Sequence, residues 1–148
     1  MEALSTQAQT LAEAVGQAMY DGDAASQSLG MTLDRIAPGR ARMSMAVRPD
    51  MLNGHGTCHG GFIFALADSA FAFACNARNQ STVGSGCTID YLAPARRGDV
   101  LSAEAVERSL SGRTGVYDVT VIDQDGRTVA LFRGRSYRIQ GSIVAEQP

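Results

Sequence analysis

One segment limits what this chain can become. Gly60 to Ala77, GGFIFALADSAFAFACNA, is apolar almost throughout yet carries a carboxylate, Asp68, near its centre. The segment is barely long enough to cross a bilayer, and an acid at mid-span is costly in lipid. A helix wrapped on most sides by protein accounts for it better. Such a helix needs a broad apolar surface to lie on, and the flanking sequence supplies strands.

Upstream, residues 6–20 place Leu11, Val15 and Met19 at helical spacing and predict an amphipathic helix, followed by a turn-like DGDAASQ. Met31 to Ile36 and Arg40 to Val47 flank Pro38-Gly39 and predict a hairpin, with Met43, Met45 and Val47 on one face. From Thr82 onward only strands are expected: Thr82 to Leu92, Val100 to Arg108, Gly115 to Ile122 and Thr128 to Ile139. Pro94 to Asp99, SGRTG and DQDGR separate them, and GSIVAEQP at 141–148 is expected to fray. Consecutive antiparallel strands with one long apolar helix predict an α+β arrangement, a sheet curled around that helix. A sheet with a single covering helix leaves a face and edges for a partner, so a homodimer is expected.

The length of 148 residues suits a single domain, 1–148, and no linker or repeat divides it. A net charge of −2 argues against a nucleic-acid surface. The N-terminus has no basic region of the kind that opens a signal peptide. Three cysteines, Cys58, Cys75 and Cys87, cannot all pair and form no CxxC, so a reduced, cytoplasmic protein is expected.

The loop and helix NGHGTCHGGFIFALADSAFAFACN, followed by CTIDYLAP and later ALFRGRSYRI, resemble the hotdog-fold acyl-CoA thioesterases. The similarity is greatest to the phenylacetyl-CoA thioesterase branch and covers roughly residues 15–140. HGG alone is weak. HGG with an acid at the eighth position after its first Gly is specific. The resemblance implies a hotdog fold, hydrolysis of a coenzyme A thioester, no metal, no bound cofactor, and dimers paired into homotetramers with sites at the dimer interface. It also implies roles. Gly60 offers its N–H to the thioester carbonyl, Asp68 is base or nucleophile, Asn53 positions carbonyl or water, and His59 supports the loop.

Read from the residues alone, these positions keep other readings. The Gly60-Gly61 pair makes a tight turn into a helix, and equally lets a substrate approach unsatisfied N–H groups without a Cβ in the way. Asp68 reads as a helix N-cap, as a buried acid satisfied by hydroxyls, or as a working carboxylate. Set among Phe62, Phe64, Leu66, Phe71 and Phe73, it is expected to be buried with a raised pKa. Asn53-Gly54 is a natural turn pair. His55, Cys58 and His59 match no common metal spacing. Cys58 and His59 are neighbours, which points their side chains apart and disfavours a Cys/His nucleophile. No GxSxG is present. Further substrate-binding candidates are Gly61, Ser85, Tyr91 and the arginines Arg96, Arg133 and Arg135, suited to the phosphates of coenzyme A. The other function weighed is a hotdog protein that binds acyl-CoA as a sensor without turning it over.

Overall fold

The computed structural model describes residues 2–146, with side chains from Ser5 onward. Helix α1 spans Glu2–Asp21 and the short α2 spans Ala24–Ser28. Strands β1 (Thr32–Ala37) and β2 (Arg40–Ala46) lead through a 3-10 turn to α3 (Gly60–Asn76). Strands β3 (Thr82–Tyr91), β4 (Val100–Ser111), β5 (Thr114–Ile122) and β6 (Thr128–Arg138) follow. All six strands join one antiparallel sheet in the order β1-β2-β4-β5-β6-β3.

The sheet curls around α3, which touches every strand. Ile63, Leu66, Ala67, Ala70, Phe71, Phe73 and Ala74 form its buried face. They meet Met43, Met45, Leu101, Ala103, Ala105, Val119, Val121 and Phe132 in one core. Strand period and helix period agree on which residues turn inward, so the core is specified twice. Gly84 and Gly134, on neighbouring strands, make room for one ring. A Cβ on Gly84 would stand 3.2 Å from Phe71, and one on Gly134 only 2.8–2.9 Å. Phe71 is held there by Tyr117 and Phe132, with ring centroids 5.5 and 5.8 Å away.

Several expectations need correction. DGDAASQ holds a helical turn, because Asp23 caps it: its carboxylate accepts from the Ser26 N–H at 2.9 Å and the Ser26 hydroxyl at 2.6 Å. Strand β4 continues past Arg108 to Ser111, where the turn is only Gly112-Arg113. A bulge between Glu107 and Ser109 breaks the alternation that would have shown this. The expected frayed tail is tied down as far as Val144. Buried Asn79 accepts from the N–H groups of Ile143 and Val144, both at 2.9 Å, and donates to the Val144 carbonyl at 3.0 Å. Residues 147–148 lie outside the described residues. Asp68 is not buried. It stands exposed on a stripe of α3 with Gly61, Ala65 and Ala72 that none of the described residues covers fully.

The glycine notch yields a stability prediction. Gly134→Ala should lower the unfolding free energy by about 1–3 kcal/mol, the range for overpacking a filled core. Urea unfolding measures this, and an unchanged midpoint would mean that Phe71 yields freely.

Candidate active site

The site is built where the loop from Asn53 to His59 enters α3. Asn53 organises that loop. Its side-chain carbonyl accepts from the N–H groups of His55 (2.9 Å) and Thr57 (3.2 Å), and its amide donates to the Thr57 hydroxyl at 3.1 Å. This leaves one amide hydrogen of Asn53 unused. The loop is fastened on both sides: the Cys58 N–H donates to the Ala95 carbonyl and the His59 N–H to the Met51 carbonyl, each at 2.8 Å.

His59 is the N-cap of α3. Its Nδ1 accepts from the Gly61 N–H at 2.9 Å, and its carbonyl accepts from the Phe62 N–H at 3.0 Å. The Gly60 N–H has no acceptor among the described residues. An unpaired N–H at the positive end of a helix is a donor waiting for an oxygen. The Tyr91 hydroxyl, from the end of β3, donates to the Gly60 carbonyl at 3.0 Å. Its ring lies against the Gly60 Cα, so a Cβ there would meet it at 3.0–3.3 Å.

Asp68 makes no hydrogen bond or ion pair with a described residue. Although its side chain reaches the surface, flanking groups strip part of its hydration, and this desolvation raises its carboxyl pKa. Exposure rules out a core acid satisfied by hydroxyls, and its place in mid-helix rules out an N-cap. At about 1.5 Å of rise per residue, Asp68 lies roughly 12 Å along the axis from Gly60. Beside it, the Ser69 hydroxyl is 3.0 Å from that of Ser26. No local pattern signals that tie, since Ser26 falls in a stretch that reads as turn. Thr57, the partner of Asn53, also escapes the sequence reading, although Asn with a hydroxyl residue four positions on is the available signal.

The remaining candidates divide between two places. Gly61 and Tyr91 meet at the α3 N-terminus, and the backbone of Arg96 lies next to the loop that leads into it. Arg96 follows Ala95, to which the loop is anchored, and its own N–H donates to Asp99 at 2.7 Å. Ser85 sits at a bulge in β3 and donates to the Arg135 carbonyl at 3.2 Å. Arg133 and Arg135 point away from α3 on the outer sheet face, since inward positions alternate with theirs along β6. Arg133 is engaged by Asp118 at 2.6 and 2.9 Å, which lowers the Asp118 pKa. Cys58 and His59 form no nucleophile pair. The Cys58 thiol donates to the His59 carbonyl at 3.6 Å, and burial pushes its pKa up. Among the described residues, no three His, Cys, Asp or Glu side chains converge as a metal site.

This arrangement can polarise a carbonyl at Gly60 and supply a carboxylate at Asp68. The comparisons give the family. The family model described as the thioesterase superfamily matches residues 55–130, just over half of the chain. The chain is 49% identical over 129 residues to the acyl-coenzyme A thioesterase PaaI of Escherichia coli, covering 87% of this chain and 92% of that protein. The structure of E. coli PaaI, from the phenylacetic acid degradation operon, superposes with a TM-score of 0.89 at 46% identity, covering 90% of this chain and 97% of that one. The TT0310 protein of Thermus thermophilus is similar at a TM-score of 0.76 and 46% identity, over 79% of this chain and 98% of that one. With its sheet closed around α3 in the hotdog fold, the chain belongs to the thioesterase superfamily and is a thioester hydrolase.

Proposed function

We propose that the protein hydrolyses acyl-CoA thioesters at sites shared between two protomers, and that its preferred acyl group is phenylacetyl, hydroxyphenylacetyl or a similarly compact one. The observation that carries this reading is the pairing of an unsatisfied Gly60 N–H with an unpartnered Asp68 on one helix. Gly60 polarises the thioester carbonyl and stabilises the oxyanion. Asp68 either takes the proton from an attacking water or attacks the carbonyl itself; both routes need its charged form. The thiolate of coenzyme A leaves and is protonated. The scheme calls for no metal and no bound cofactor. The free hydrogen of Asn53 is placed at the same helix entrance to orient water or carbonyl.

Distance requires the second protomer. Groups acting on one carbonyl carbon must lie within a few ångströms of it, and about 12 Å separates Gly60 from Asp68 on one helix. Two α3 helices running antiparallel across a twofold axis bring Gly60 of one to Asp68 of the other. The small residues Gly61, Ala65 and Ala72 on the Asp68 stripe permit that approach. Strand β3 supports it too: it is ten residues long, pairs with β6 alone among the described strands, and carries exposed Val83 and Tyr91. A long unpaired edge of this kind is suited to pairing with a copy of itself. The exposed Leu131 and Tyr137 on the outer face support a dimer of dimers. Three free thiols favour a reducing, cytoplasmic setting. No helix among the described residues is long and apolar enough to cross a membrane.

The compact acyl group is supported by half-buried Phe62 and Phe64 near the helix entrance and by the operon of the E. coli relative. Phenylacetyl-CoA should therefore show a higher kcat/KM than palmitoyl-CoA in a thiol-release assay; the reverse order would place the protein among long-chain enzymes.

Asp68→Asn keeps shape and removes the base. We expect kcat to fall by about 10²–10⁴ with the fold intact, whereas a variant with most of its turnover would exclude Asp68 from the chemistry. In the wild type, kcat/KM should fall as acid protonates Asp68, at a pH above the ordinary value of an aspartate. The same shift has a stability consequence. Desolvation disfavours charged Asp68 in the folded chain, so its cost is present above the folded pKa and absent below the unfolded one. Asp68→Asn should thus melt above wild type at neutral pH, with the gap closing in acid. A variant that melts lower at neutral pH would contradict that account.

A further inference from the structure

We infer that Tyr91 is a positioning residue for the oxyanion donor, acting through the Gly60–Gly61 peptide rather than by touching substrate. The inference rests on the role proposed for the Gly60 N–H.

Gly-Gly is the least restrained dipeptide available, and the first turn of a helix is where helices fray. A donor at that point is useful only if its direction is fixed before substrate arrives. The peptide that follows the donor is held at both edges. Its N–H, from Gly61, donates to His59 Nδ1 at 2.9 Å, and its C=O, from Gly60, accepts from the Tyr91 hydroxyl at 3.0 Å. The His59 bond is local and moves with the turn. The Tyr91 bond crosses 31 residues of sequence to β3 and ties the turn to the sheet. The ring packs close to Gly60, since a Cβ there would lie 3.0–3.3 Å from the Tyr91 side chain.

The geometry also explains why the hydroxyl is spent here. Tyr91 is 50% exposed, so its O–H has water as an alternative and is not forced into this bond by burial. Strand β3 ends at Tyr91, and the next residues, Leu92 and Ala93, both donate to the Val129 carbonyl, at 2.8 and 3.3 Å. The strand end that carries the phenol is therefore itself anchored. A phenol is already a donor at neutral pH, and partial desolvation moves the Tyr91 pKa further up.

Tyr91→Phe tests this, since it keeps the ring and removes only the hydroxyl. Two readouts are needed: steady-state kinetics with phenylacetyl-CoA, and the infrared carbonyl stretch of a bound, non-hydrolysable ketone analogue in which CH2 replaces the thioester sulfur, ¹³C-labelled at the carbonyl. We expect kcat to fall about 10- to 100-fold, the scale for a reacting group displaced by about an ångström. KM should stay within about twofold if Tyr91 makes no substrate contact. Bound to wild type, the analogue carbonyl should absorb at lower wavenumber than in water, and Tyr91→Phe should lose most of that shift while melting near wild type. A raised KM with unchanged kcat makes Tyr91 a substrate contact and overturns the proposal. So does an equal infrared shift in both proteins. Absence of any shift in wild type would instead overturn the Gly60 role itself, so the two failures are distinguishable. If Tyr91→Phe melts well below wild type, the hydroxyl serves the fold as a whole and the positioning role is likewise overturned.

Discussion

Everything in this protein is arranged around the burial of one helix. α3 is so apolar that it has to be covered; the six strands, with α1 and Ser26 of α2 on one side, cover most of it and leave one stripe exposed. Burial of the large side chains, Phe71, Phe73, Leu66 and Ile63, supplies the driving force. The same burial fixes the helix in rotation and in translation. Phe71 sits in the notch of Gly84 and Gly134, and a helix keyed into a notch cannot slide. Both consequences matter for chemistry, because rotation decides which side Asp68 faces and translation decides where Gly60 stands.

The two ends of the site depend on different physics. At Gly60, the effect is that of a helix terminus: His59 and Tyr91 satisfy the groups around one N–H and leave that N–H alone. At Asp68, the effect is partial desolvation on an uncovered stripe. A carboxylate there is tolerable in the isolated chain because water still reaches it. A second helix laid on the stripe would remove more of that water and raise the pKa further, toward the value a base needs. Small residues on either side of Asp68 leave room for such a neighbour and for a substrate between the two. The outer face of the sheet is separate: there Arg133 and Arg108 neutralise Asp118.

Much of this is legible in the sequence because local signals are strong. The length and hydrophobicity of Gly60 to Asn76 predict the central helix, and the clean alternation in ARMSMAV and VYDVTVID predicts strands that pack on it. HGG with Asp68 eight residues on is specific enough to place the family. What could not be read depends on long-range contact. Asp68 is expected in the core because its sequence neighbours are phenylalanines, yet helical rotation turns it away from the buried Leu66 and Ala70 and outward. Asn79 holds a tail that sequence alone leaves free, since its partners at Ile143 and Val144 are far along the chain. The tie from the Tyr91 hydroxyl to the Gly60 carbonyl is equally hidden, because nothing in TIDYLAP shows that the strand ends over Gly60. The bulge at Glu107 hides three residues of β4 by breaking its period.

The central claim is that each site takes its donor from one protomer and its acid from the other. Complementation of two dead variants tests it most directly. Asp68→Asn removes the acid. Gly60→Pro removes the N–H at a position where proline is tolerated, and His59 already has the extended ψ of 132° that a residue before proline requires. At its Cβ the added ring would meet the Tyr91 side chain at 3.0–3.3 Å, and Tyr91 is half exposed, so this contact can relax outward. In a heterodimer of the two, one site carries both lesions and the other neither. Purified heterodimers should regain roughly half of the wild-type turnover per dimer, as twofold symmetry requires. Heterodimers as inactive as either parent, with both parents folded and dimeric, would contradict the shared site.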